Sequence, residues 1–154
     1  MCCKLKELIN RYIEVSLSVH RRGDRLTKQQ LISDLTVDQH YTMRFVASNG
    51  ECTSTELAQH FDVEKSAVTS IIKRLVDKKL ISRRRDQNDR RVVYLSLTEE
   101  GRKLYDECEE RIYKIVGSFI SKFDDDEISG FINTYEKLNR LLAEFEKNGD
   151  ESSK

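Results

Sequence analysis

Five arginines are the most chemically suggestive residues in this chain. Arg83, Arg84 and Arg85 stand together, and Arg90 and Arg91 follow after Asp86-Gln87-Asn88-Asp89. Guanidinium groups fork phosphate oxygens and enter narrow minor grooves of enhanced negative potential. The two aspartates keep the stretch from being a simple cationic tether. Upstream, Lys65, Ser66, Thr69, Ser70 and Lys73 share one side of a helical period, with Ala67 and Arg74 beside them. Small polar groups flanked by cations suit a helix pressed into a major groove. Short side chains allow close approach, hydroxyls bond base edges or phosphates, and lysines neutralise phosphate charge. The formal net charge of zero conceals this footprint. Residues 62–97 carry 10 basic and 5 acidic side chains, a charge of +5, whereas residues 98–154 carry 9 and 15, a charge of −6. The cationic surface is local.

Other chemistries find less support. Four cysteines, Cys2, Cys3, Cys52 and Cys108, match no zinc spacing and are too few for a disulfide scaffold in 154 residues. His20, His40 and His60 are far apart and lack the spacing of a helical ligand pair, so no metal site is expected. There is no glycine-rich phosphate loop and no nucleophile elbow; neither an enzyme nor a cofactor is expected. No run approaches the roughly 20 apolar residues of a membrane span, and Met1-Cys2-Cys3-Lys4 leads into polar sequence without the apolar core of a secretory signal. The expectation is a cytoplasmic protein with no membrane contact.

The elements that position these residues can be read from period and punctuation. Leu8, Ile9, Tyr12, Ile13 and Val19 form a helical stripe that ends near Arg22-Gly23-Asp24. Residues 24–35 admit either a loop or a short helix. Thr36 and Gln39 make a capping box for a helix that buries Tyr41, Phe45 and Val46 and stops at Asn49-Gly50. Thr53 and Glu56 make a second capping box, with Leu57, Ala58 and Phe61 inward. Asp62-Val63 separates this short helix from another whose apolar face is Val68, Ile71, Ile72, Leu75 and Val76, giving a helix-turn-helix. Residues 80–84 and 92–97 read as two strands around a polar hairpin loop, and Cys52 lies beside a short strand. Thr98 caps a long helix with the stripe Leu104, Cys108, Ile112, Ile115, Phe119, Ile120 and Phe123. The acidic run Asp124–Glu127 starts a last helix. The fold class is mainly α with a small β-hairpin wing: a winged helix-turn-helix domain plus a helical region.

Leu57-Ala58, Val68-Thr69, Arg74-Leu75, Leu80-Ile81, Arg84-Arg85-Asp86, Asp89-Arg90-Arg91 and Leu97-Thr98-Glu99-Glu100-Gly101 together resemble the MarR (multiple antibiotic resistance regulator) family of transcriptional regulators. The resemblance is close over residues 36–101. It implies a winged helix-turn-helix at 36–97 and a helical dimerisation region at 1–35 and 98–147; the polar composition of 148–154 predicts a flexible tail. The resemblance implies a homodimeric repressor that binds double-stranded DNA at a pseudo-palindromic operator and is released by a small aromatic or phenolic effector. Arg91 is then the minor-groove arginine, held by Asp89, with Arg84, Arg85 and Arg90 in the same wing, and Arg74 braces the wing or a phosphate. The dimer seam would use Leu5, Leu8, Ile9 and Tyr12, with Phe131, Ile132, Tyr135, Leu138 and Leu142. One departure is Glu64, where the family often has serine at the helix start; its carboxylate caps less well. Two alternatives stay open: a redox-sensing regulator of the same fold using Cys2 and Cys3, and a winged-helix protein-interaction module.

Overall fold

The computed structural model describes residues 3–151, with side chains for 4–145. Six helices and three strands follow in the order α1 (Cys3–Gln30), α2 (Val37–Asn49), β1 (Cys52–Thr53), α3 (Ser54–Phe61), α4 (Lys65–Asp77), β2 (Ile81–Arg85), β3 (Val93–Leu97), α5 (Glu99–Ile120) and α6 (Asp125–Glu151). The sheet is antiparallel in the order β1-β3-β2, with Ile81 opposite Leu97 and Cys52 opposite Leu95. The chain forms two compact units, Met1–Ile112 and Tyr113–Lys154.

The core of the first unit gathers Met43, Val46, Leu57, Leu75 and Ile81, all 2% exposed or less, around the helix-turn-helix. Both expected capping boxes form. Thr36 Oγ1 accepts from the Gln39 amide while the Gln39 side chain accepts from the Thr36 amide; Thr53 and Glu56 do the same. Each pair satisfies two amides that a helix start leaves unpaired. Glu64 precedes α4 without a side-chain cap bond, so that helix is held by packing instead. Its C-terminus closes with Lys79 N–H on the Val76 carbonyl and Leu80 N–H on the Leu75 carbonyl, with Lys79 at φ 59°. Asp62, at φ 50°, closes α3 in the same left-handed way. These two turns set the angles at which α4 leaves α3 and β2 leaves α4.

One junction joins the wing to α5. The Leu80 carbonyl accepts the Thr98 amide at 3.1 Å. The Thr98 hydroxyl donates to the Lys79 carbonyl at 2.7 Å and accepts from the Gly101 amide at 2.9 Å. A Cβ at position 101 would collide with the Leu80 carbonyl oxygen, so glycine is required there.

Several sequence expectations need correction. α1 does not stop at Gly23 but runs to Gln30. Glycine in a helix interior costs only about 1 kcal/mol, and two bonds hold the turn: Arg22 Nε donates to Ser18 Oγ, and His20 pairs with Asp24 at 3.3 Å. The chain breaks instead where Ser33 and Asp34 both take φ 55°. On α2, Tyr41 is exposed and Phe45 half-buried, whereas Gln39, His40, Thr42 and Met43 are buried with Val46. The helix turns a partly polar face inward, which an apolar stripe cannot reveal. Cys52 lies within β1 rather than beside it. α5 ends at Ile120, short of Phe123, and Asp124 and Glu127 then form a third capping box for α6. α6 is helical to Glu151, so the tail expected from 148 begins as helix; its remainder lies outside the described residues.

The polar inward face of α2 has a partner. His40, fully buried, lies 2.9 Å through Nε2 from Glu109 Oε1 on α5, and Arg44 Nη1 reaches the same oxygen at 3.3 Å. His40 also stacks on Tyr105, ring centroids 5.7 Å apart. A neutral imidazole donating from Nε2 leaves a lone pair on Nδ1, and Nδ1 has no hydrogen-bond partner. Burial holds the His40 pKa below its usual 6.5, against the opposing pull of the Glu109 bond and charge.

Two predictions follow from this packing. Gly101→Ala destabilises the fold by about 1–3 kcal/mol, the usual cost of overpacking, measured by urea unfolding; an unchanged midpoint would refute the Leu80 junction. For His40, the unfolded chain binds its proton before the folded chain does. Its stabilisation is full above pH 6.5 and is lost as pH falls below that value. Unfolding midpoints followed from about pH 7 to about pH 5 fall more steeply for the natural protein than for His40→Gln, whose amide keeps a donor toward Glu109.

Candidate nucleic-acid interface

α4 divides cleanly. Val68, Ile72 and Leu75 are buried, and Lys65, Ser66, Ala67, Thr69, Ser70, Lys73 and Arg74 are all exposed. The local reason is the apolar period, which seats one face on α2 and α3 and leaves the other to solvent. Thr69 spends its hydroxyl hydrogen on the Lys65 carbonyl, at 2.8 Å, so its outward oxygen is an acceptor.

The wing tip is built by aspartates. Asp86 Oδ1 accepts the amides of Asn88 and Asp89, both at 2.8 Å. Those two backbone bonds hold its carboxyl below the usual carboxylate range. Asp86 N–H to the Val92 carbonyl and Val92 N–H to the Asp89 carbonyl close the loop. Asp89 Oδ1 accepts both the Arg91 amide (3.0 Å) and Arg91 Nε (3.2 Å). The Arg91 side chain nevertheless remains 93% exposed, so its direction is set while its outer nitrogens stay available. The pairing of Asp89 with Arg91 expected from the sequence is present. Arg90 is exposed beside it.

Arg84 departs from the sequence expectation. Its Nε and Nη2 fork the two oxygens of Glu51 at 3.2 and 2.8 Å, and its guanidinium lies 5.0 Å from the centre of the Tyr94 ring. The bond to Arg84 pulls the Glu51 carboxyl below its ordinary value, and Glu51 raises the Arg84 pKa in turn. A strand alternates its side chains, so Arg83 and Arg85 share the face that Arg84 does not. The sequence grouped the three by type; period-two alternation in β2 was the available clue. Glu51 was missed altogether, because only the pairing of β1 with β3 brings it to the wing.

The cysteines separate into two groups. Cys52 and Cys108 are free thiols buried in the core. Burial pushes Cys52 up to about 11 and Cys108 upward as well, which disfavours the reactive thiolate. Of the candidate redox pair, Cys2 lies outside the described residues and Cys3 opens α1 with its side chain undescribed. Among the described residues no group of three metal-binding side chains assembles, and no helix is long and apolar enough to cross a membrane.

The apolar stripes of α1 and α6 are largely exposed. On α1, Leu5, Leu8, Ile9 and Tyr12 are 40–52% exposed. On α6, Phe131, Ile132, Tyr135 and Leu142 are exposed and Leu138 is half-buried, with Phe131 stacked on Tyr135. Exposed apolar faces of this length are unusual for a lone chain.

Comparison with known proteins agrees with this architecture. The transcriptional repressor MdtR of Bacillus subtilis (strain 168) is 28% identical over 138 residues, covering 87% of this chain and 89% of its own. A MepR like protein solved with pseudoligands is 27% identical, with a TM-score of 0.66 over 87% of this chain and 95% of that one. A mutant MarR from E. coli, solved in complex with operator DNA, shares the fold at 24% identity and a TM-score of 0.72, over 84% and 92%. Residues 33–92, from the α1–α2 turn through the wing tip, match the model of the MarR family, and the chain is similar over most of its length to regulators of the helix-turn-helix type.

Proposed function

We propose that this chain is a homodimeric, sequence-specific double-stranded DNA-binding transcriptional regulator of the cytoplasm, acting as a repressor. The observation that carries the reading is the exposed cationic and hydroxylic face of α4 flanked by a wing whose tip presents a restrained Arg91. In this reading residues 36–97 are the DNA-binding domain. Lys65, Ser66, Ala67, Thr69, Ser70, Lys73 and Arg74 face the major groove. Asp89, Arg90 and Arg91 serve the adjacent minor groove, where narrow width concentrates negative potential.

A second copy of the chain covers the exposed stripes of α1 and of α6, within 1–35 and 98–147. A twofold dimer reads a pseudo-palindrome with half-sites about one helical turn apart. Release by a small aromatic or phenolic effector completes the proposal; the relative solved with pseudoligands supports a small-molecule response. An interaction module without DNA would have no use for uncompensated cations at the wing.

The first test is fluorescence anisotropy with a duplex selected from a random pool. Affinity falls steeply with salt, as counterion release requires, and no specific binding to any duplex would end the DNA-binding reading. On the selected duplex Arg91→Ala weakens binding by about 1–3 kcal/mol, the range of a specific contact, with the dimer intact; parity with the natural protein would remove the wing assignment. The second test is Ile132→Asp, which yields monomers in sedimentation and loses tight binding, while a persistent dimer would exclude the α6 stripe from the seam.

A further inference from the structure

Between the two proposed DNA readers lies one cleft of about 320 Å³. Ile72 of α4 and Leu95 of β3, both buried, close its inner side. Its open side carries Ser54 at the start of α3, Thr69, and the exposed Arg83 and Arg85 of β2. Three consecutive arginines thus have two fates. Arg84 is neutralised by Glu51 on the far face. Arg83 and Arg85 form no ion pair among the described residues, and they stand two positions, about 7 Å, apart along the strand.

Two unpaired guanidiniums at one cleft repel each other and are poorly explained as a structural feature. They form instead a seat for a tetrahedral anion, since each can fork two of its oxygens. The Ser54 hydroxyl adds a donor. Thr69 adds none, its hydrogen being committed to Lys65. The place of the cleft selects the anion. If α4 enters a major groove and the wing the neighbouring minor groove, the sugar-phosphate strand dividing those grooves must cross the gap between α4 and β2.

We propose that Arg83 and Arg85, with Ser54, seat a phosphodiester of that dividing DNA strand, and that Arg84 takes no part in it. This rests on the DNA-binding reading above. Arg84 is bonded to Glu51 and lies against Tyr94, away from the seat.

The test measures affinity against salt for the natural protein and for Arg83→Gln, Arg85→Gln and Arg84→Gln, on the selected duplex and on an unrelated duplex. Each measurement is paired with a thermal melt. A phosphate contact carries no sequence information, so the first two variants weaken both duplexes by the same factor. The double variant R83Q/R85Q lowers the slope of log affinity against log salt by at least about 0.9, the loss of one phosphate contact. Arg84→Gln leaves that slope in place, and Arg83→Lys, which keeps the charge, restores most of it. All three substituted side chains are exposed and the melts stay near that of the natural protein. If the natural protein binds with a steep slope but R83Q/R85Q retains it, or if Arg84→Gln lowers it equally, the seat is overturned and the DNA-binding reading survives. If the natural protein binds neither duplex, that reading fails first.

Discussion

The carbonyl oxygen of Leu80 is the point on which the helix-turn-helix and its wing turn. It follows the left-handed close of α4, accepts the amide of Thr98, and is approached so closely by α5 that only glycine fits at position 101. A single contact thereby relates α4, the two main wing strands and α5. The angle between α4 and the wing depends on it, because β2 leaves this carbonyl and β3 returns to it. The run Leu97-Thr98-Glu99-Glu100-Gly101 is the chemical description of that joint: a hydroxyl that both donates and accepts, and a residue without a Cβ.

A second set of contacts orients charge. The ion pairs that Glu51 and Asp89 make with arginines add little to stability, yet these carboxylates and that of Asp86 each have a geometric task. Asp86 shapes the hairpin turn, Asp89 aims Arg91, and Glu51 withdraws Arg84 from the cationic face. The negative charges that appear to dilute a basic surface determine which cations remain free on it. Arg83, Arg85 and Arg91 keep their outer nitrogens available because their neighbours are occupied.

The helical flanks follow a different logic. The stripes of α1 and of α6 are each largely exposed, a state that association would remove by burying apolar area. Where α2 meets α5, burial includes polar groups. His40, Arg44 and Glu109 satisfy one another at one carboxylate oxygen, leaving Nδ1 of His40 unpaired in the interior.

Much of this was legible in the residues themselves. Capping boxes, helix periods, the helix-turn-helix spacing and the hairpin loop are local, set by bonds between residues three or four apart, and they form as the sequence indicates. The exposed face of α4 followed from its apolar face by subtraction. The persistence of α1 past Gly23, the inward turn of His40 rather than Tyr41, and the separation of Arg84 from Arg83 and Arg85 were not legible. Each depends on a partner distant in the chain or on a break placed elsewhere: Glu109 lies 69 residues from His40, and Glu51 lies 33 from Arg84. Sequence alone determined that five arginines gather at one hairpin. Tertiary pairing decided which of them are free, because a strand alternates its faces and only the folded sheet brings an acid to one of them.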